Sequence, residues 1–288
     1  TRCLSDWSSD VCSSDLDHGE RCRFTPERIR LYAEHARVQG AREIGISEHC
    51  NRFAEFRPVM EDVLSQAEGE ELEAWYRLSF RESLDAYVEA VLRAKAEGLP
   101  VKLSIEVDYI PGKEKVTREI LARYPFDYVI GSVHFIGTWG IDVSPEIGWP
   151  EADVDRAYQE YFRLLEQAAR SGLFDILAHP DLVKKFGHRP SYPLDELYDA
   201  VARAAKESGA AAEISSAGLY KPVGELYPAP GLLERFFDRG VPVTLGSDAH
   251  APEHAGRGLH RAAKAAAEAG YRTVTRFDGR RPTQVELG

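Results

Sequence analysis

The residues with the most chemistry in this sequence stand where short apolar runs stop. Ser47-Glu48-His49 closes one run and Glu106-Val107-Asp108 the next. Ser132-Val133-His134, Ala178-His179-Pro180-Asp181, Glu213-Ile214-Ser215-Ser216 and Gly246-Ser247-Asp248-Ala249-His250 follow in turn. A buried charge without a partner is costly, so a His/Asp/Glu set that converged at such ends is best neutralised by metal ions. Imidazole combined with carboxylate suits Zn, Mn or Fe, whereas all-oxygen sets suit Mg or Ca. The run ends offer no thiolate, which argues against a structural cysteine-type zinc site. Carboxylates such as Glu106 or Asp248 can bridge two ions about 3.5–4 Å apart, the spacing of metal-assisted phosphoryl hydrolysis.

The elements that must position these groups alternate along the chain. The β-type runs are Glu43–Ser47, Val101–Val107, Tyr128–Val133, Asp175–Ala178, Ala211–Ser215 and Val241–Gly246. Between them lie helical stripes, as at Phe80, Leu84, Tyr87, Val88, Val91 and Leu92, and again at Val154, Ala157, Tyr158, Tyr161, Phe162 and Leu165. Thr25-Pro26-Glu27 and Trp149-Pro150-Glu151 have the form of helix starts, and Gly98, Gly172, Gly209 and Gly240 that of helix stops. Repeated β-then-α units predict one parallel sheet, closed or doubly wound, in a single domain with no internal linker. In a β/α barrel the carboxyl ends of the strands form the mouth where active sites sit. The polar run ends fall there.

Charge and composition narrow the partners. The 288 residues carry 36 Lys+Arg against 47 Asp+Glu, a net charge of −11, with no basic block. This argues against nucleic acid or an anionic membrane surface as the main partner. No apolar run approaches the roughly 20 residues of a membrane-spanning helix. Cys3, Cys12, Cys22 and Cys50 fall near the start of a long, otherwise cysteine-free chain, which fits a reducing cytoplasm better than a disulfide framework. Residues 1–16, TRCLSDWSSDVCSSDL, repeat Ser-Asp and lack the basic start and apolar centre of a signal peptide. They are expected to be a non-native or disordered leader outside the fold, with the domain running over 17–288.

Four segments carry a more specific signal: SIEVDYIPG at 104–112, FDYVIGSVHF at 126–135, SAGLYKP at 216–222 with Tyr227-Pro-Ala-Pro, and GSDAH at 246–250. Together they resemble the histidinol-phosphate phosphatases of the PHP superfamily, over about Asp17 to Pro282. The resemblance implies a (β/α)7 TIM-like barrel and a centre of two or three divalent ions. It also implies hydrolysis of L-histidinol phosphate to L-histidinol and phosphate, a step of histidine biosynthesis. By position it makes His49, Glu106, His134, His179, Asp248 and His250 metal ligands, Glu106 as the bridging acid and Asp248 and His250 as the terminal Asp-x-His pair. His18, in Asp17-His18-Gly19, falls at a histidine of the family's first loop. Glu106, Asp248 and His250 would carry catalysis.

The departure from the family lies at the start. A first strand bearing His-x-His is expected, and no such motif exists here; the first strand is thus missing or replaced, by truncation or by loss of a metal. The resemblance also places basic loop residues over the phosphate, for which Lys184, Lys185, Arg189 and Lys221 are the candidates. Glu213 and Asp181 are available as rim acids for the ammonium and imidazole of a small phosphate monoester. Asp108 either orients a ligand or begins the Tyr109-Ile-Pro-Gly turn. His35 is expected to be a surface or half-buried helix residue, His188, His254 and His260 to be solvated, Cys22 and Cys50 to be incidental thiols, and Trp75, Trp139 and Trp149 to pack loops against the barrel rim. Two other functions stay open: another phosphoesterase on this scaffold, and a barrel that binds metal or phosphate without turnover. Oligomeric state is not readable from the sequence.

Overall fold

A computed structural model describes residues 10–13, 24–66, 73 and 76–287. The strands are β1 (Asp10–Ser13), β2 (Ile44–His49), β3 (Val101–Asp108), β4 (Tyr128–Ser132), β7 (Ile176–Leu177), β8 (Ala211–Ser215) and β9 (Val243–Gly246). They pair in that order, all parallel, and β1 meets β9 at Val11–Gly246, so the sheet closes, while the two-residue strands β5 (Phe135–Ile136) and β6 (Trp139–Gly140) pair with each other outside it. Parallel strands covered on both faces should be buried throughout, and β2, β4, β8 and β9 are buried at every position. The expected seven-stranded barrel is the fold.

Helices α1 (Pro26–Val38), α2 (Arg57–Leu64), α3 (Leu84–Ala96), α4 (Glu114–Leu121), α5 (Val154–Arg170), α6 (Asp195–Ser208), α7 (Pro230–Asp238) and α8 (Leu259–Ala269) lie on the chain between or after these strands. The Thr25 hydroxyl caps α1 by accepting the Arg28 N–H, and Ile29, Tyr32, Ala33 and Ala36 form its buried stripe at helical spacing. Tyr87 fastens α3 to the barrel: its single hydroxyl proton is shared between the carbonyls of Ile46, 2.6 Å, and Ser104, 2.7 Å. The predicted helix start at Trp149 is a 3-10 turn instead. Ala152 is extended after it, and α5 begins at Val154 with Asp153 accepting the Arg156 N–H.

One expectation about the leader does not hold. Asp10–Ser13 is not outside the fold but forms β1, from Asp10 opposite Ile44 to Ser13 opposite Ser47. The first-strand position is filled by these residues. The physical reason is the closure itself: β2 and β9 would otherwise face each other across a gap with unpaired backbone, and an extended segment spanning that gap satisfies both edges. The rest of the leader lies outside the described residues.

The amino end of the barrel is closed by a hairpin that the sequence reading left unassigned, β10 (Thr273–Asp278) and β11 (Arg281–Glu286). Phe277 inserts among Tyr128, Ile130, Ile176, Ala178 and Ala211, its ring 5.8 Å from that of Tyr128. The Tyr128 hydroxyl in turn lies where a Cβ on Gly45 would stand, so β2 needs glycine at that point. Arg280 donates to the Asp175 carboxylate at 2.8 Å and to the Leu173 carbonyl at 2.7 Å, tying the hairpin tip to the segment leading into β7. With that end sealed by apolar side chains, the polar strand ends have only the opposite mouth. Among the described residues no helix is long and apolar enough to cross a membrane.

Candidate metal centre

Strand alternation turns Gly45, Ser47 and His49 of β2 and Ser104, Glu106 and Asp108 of β3 to the same side, where the Ser47 and Ser104 hydroxyls meet. The register sets His49 opposite Glu106. His134 follows β4, His179 follows β7, and Asp248 and His250 follow β9. Ligand atoms of His49, Glu106 and His134 all lie within 4.8 Å of one another, and all three residues are buried. Glu106 Oε1 stands 3.5 Å from His134 Nε2 and 3.2 Å from His179 Nε2. The His250 ring is 6.0 Å from that of His49 and 44% exposed at its side chain, so it closes the set on the open side. A single carboxylate is thus ringed by imidazoles at the mouth.

Hydrogen bonds fix how the rings face. His134 Nδ1–H donates to Asp108 Oδ1 at 2.8 Å, leaving Nε2 toward Glu106. Asp108 therefore fixes the orientation of the His134 ring. His250 Nδ1–H donates to the Asp248 carbonyl at 3.0 Å, which leaves its Nε2 as the available lone pair. Such partners set the tautomer and raise ligand basicity. His179 and Asp248 hold left-handed backbone, φ 24° and 47°, a conformation few non-glycine residues adopt.

The electrostatics are those of mutual compensation. Burial acts to raise the Glu106 carboxyl, but His49, His179 and His134 outweigh it and hold the group well below the usual range. Burial acts to lower the His179 ring, yet its bond to Glu106 and the charges of Glu106, Asp248 and Glu213 push it up to about 9. His134 is raised in the same way, against burial, by Asp108 and Asp142. His179 Nδ1 is buried with no hydrogen-bond partner among the described residues. Imidazole nitrogens and acids in this arrangement, one of them an orphaned buried nitrogen, fit divalent ions of the Zn, Mn or Fe type.

Residues 18–217 match the PHP domain family. The chain belongs to the PHP family. Among relatives of this PHP chain, the "Probable histidinol-phosphatase" of Deinococcus radiodurans is 38% identical over 275 residues, covering 92% of this chain and 96% of that protein. A second "Probable histidinol-phosphatase", from Schizosaccharomyces pombe, is 24% identical over 265 residues, 86% of this chain and 83% of the other. In three dimensions the PHP barrel is similar to histidinol phosphate phosphatase from Lactococcus lactis subsp. lactis, solved with zinc, L-histidinol and phosphate. The TM-score is 0.74 at 20% identity, covering 96% of this chain and 98% of the other.

The other candidate residues of the PHP chain stand in varied surroundings. His18 lies outside the described residues, as does Trp75. The Lys184 ammonium is buried against Asp181 Oδ2 at 2.8 Å, Glu225 at 3.2 Å and the Leu226 carbonyl at 2.8 Å. Those acceptors match its three donors. Arg189 pairs with Glu225 at 2.7 Å, Lys185 with Asp142 at 3.1 Å, and Lys221 is exposed. Glu213 and Asp181 are not rim acids: they are 3% and 1% exposed. Glu213 sits two residues inside the end of β8, where alternation turns it into the barrel, and Asp181 is held down by Lys184 and the Ala229 N–H, 2.7 Å. Burial pushes the Glu213 carboxyl up to about 8, although the neighbouring His179 pulls the other way. Asp142, which no motif marks, is held well below the usual range by Lys185 and His134 against the effect of burial.

Three of the remaining histidines follow expectation, whereas His188 is half-buried rather than solvated. His35, His254 and His260 are exposed, and His188 stacks on Trp149 with centroids 4.2 Å apart. Trp139 and Trp149 pack the loop before α5, each donating its indole N–H to a carbonyl of that loop. Cys50 is a free buried thiol.

Proposed function

We propose that this chain is a metal-dependent phosphatase that hydrolyses L-histidinol phosphate to L-histidinol and phosphate. The observation that carries the reading is Glu106 ringed by His49, His134 and His179 at the open end of a barrel sealed at the other. Identity of 38% along nearly the whole of the Deinococcus protein supports the substrate. His49, Glu106, His134, His179, Asp248 and His250 would hold two or three divalent ions of Zn, Mn or Fe. Such ions lower the pKa of bound water toward neutrality and offset charge on the phosphoryl oxygens.

The residues of the chain do the rest. Glu106 supplies fixed negative charge at the centre, and Asp108 keeps His134 turned toward it. Among the basic candidates, Lys185 is best placed for the phosphate, because its partner Asp142 acts electrostatically on His134 and His179. Lys184 holds the loop after β7 in shape. Alanine at Glu106 should remove bound metal and turnover together, whereas full activity with retained metal would reject its bridging role. Alanine at Lys185 should cut kcat/KM roughly a hundredfold, the usual effect of losing one charge-stabilising donor.

The first strand favours a second reading. Asp10-Val11-Cys12-Ser13 stands in the first-strand position and contains no histidine, which points to a barrel that binds ions with impaired turnover. Product release from histidinol phosphate (phosphate), an aryl phosphate (phosphate) and single-stranded DNA (nucleotides) separates the cases. Release from the first alone supports the phosphatase. Release from all three, or from none by metal-loaded protein, rejects it.

A further inference from the structure

His179 reaches Glu106 from a backbone conformation that a histidine seldom adopts, φ 24°. Something must hold it there. Its N–H donates to Glu213 Oε2 at 2.7 Å, and Glu213 is buried in β8. The Glu213 carboxyl in turn occupies a notch in the neighbouring strand. A Cβ built on Gly246 would stand 1.8 Å from Glu213 Oε1 and 2.7 Å from its Cδ. The ladder sets Ser215 opposite Gly246 and Glu213 opposite Thr244, so the notch opens diagonally onto the acid. Glycine at 246 is thus explained by space.

We propose that Glu213, seated in the notch left by Gly246, is a positioning residue of the metal centre: it accepts the His179 N–H and so fixes the backbone that aims the His179 ring at Glu106. This rests on the metal-centre reading above. The role needs an acceptor oxygen at that point, which glutamine also supplies and leucine does not. Glu213 itself holds no ion in this scheme.

The test compares the full chain with E213Q, E213L and G246A after chelator treatment, using Co(II) as the probe. Bound ion per chain, affinity and the visible spectrum of the bound Co(II) are read alongside circular dichroism. E213Q should keep the parent's spectrum and affinity. E213L should bind Co(II) about 10- to 100-fold more weakly at one site, with an altered spectrum, the usual effect of losing a group that orients a ligand. G246A, whose new methyl displaces the carboxyl, should shift in the same direction and covers the case in which E213L does not fold. Parent-like binding by folded E213L or by G246A would overturn the proposal. So would an E213Q protein as impaired as E213L, since charge rather than the acceptor would then matter. A parent that bound no Co(II) would sink the metal-centre reading as well, which keeps the two failures apart.

Discussion

Glu106 and its imidazoles pull one another's titration in opposite directions, and that has a measurable consequence. The His179 ring, raised to about 9 against an ordinary 6.5, carries a proton at neutral pH until a cation takes its lone pair. His134 is raised as well. Ion binding must therefore expel protons. The sign follows: raising the pH from 6.5 through about 9 removes the competing protons, so apparent Zn(II) affinity should climb over that interval. An indicator dye should record acidification when Zn(II) is added at pH 7, and uptake without proton release would contradict the assignment. Asp108 belongs to the same account. Alanine there removes the acceptor for His134 Nδ1–H, and affinity for the ion should drop about 10- to 100-fold with the fold intact by circular dichroism.

The β10–β11 hairpin shows how an element far from the chemistry decides where the chemistry is. Phe277 fills the amino end of the barrel and the Arg280–Asp175 pair fixes the tip. Phe277→Ala should lower stability by about 3–5 kcal/mol, as for other buried phenylalanines, measured by denaturant unfolding, while leaving the stoichiometry of bound ion unchanged. A stability loss below about 1 kcal/mol would mean that the end is sealed by something else. The sequence held a clue to this hairpin in Gly279, which with Arg280, both at positive φ, makes the two-residue turn between two extended runs. The polar and charged residues of β11, exposed at nearly every position, hid it. Its pairing partner is β10 alone, so no apolar alternation marks it. The same applies to Asp142, whose meaning comes only from Lys185 on the loop after the neighbouring strand.

For the whole molecule the decisive question is closure. Seven parallel strands leave no edge only if β1 is present, and β1 is made of Asp10–Ser13. Removing residues 1–16 should open both β2 and β9, expose backbone that is now paired, and lower the denaturant midpoint. An unchanged midpoint would show that the barrel stands without that strand. Restoring a first strand with His-x-His should raise ion stoichiometry if its absence costs the centre a ligand pair, and parent-like stoichiometry would count against that loss.

That His49, Glu106, His134, His179, Asp248 and His250 stand at one mouth was readable from sequence because each ends an apolar run, and parallel β/α order sends all such ends there. The barrel was readable for the same reason: period-two and helical stripes are local properties. Tertiary structure alone decided which acids face the mouth and which lie beneath it. Glu213, Asp181 and Lys184 look alike to a one-dimensional reading whether solvated or buried, since their state depends on partners such as His179, Ala229 and Glu225, between 34 and 48 positions away or across a turn. It alone also gave the leader a strand, because pairing depends on the open edges of β2 and β9 rather than on anything within Asp10–Ser13.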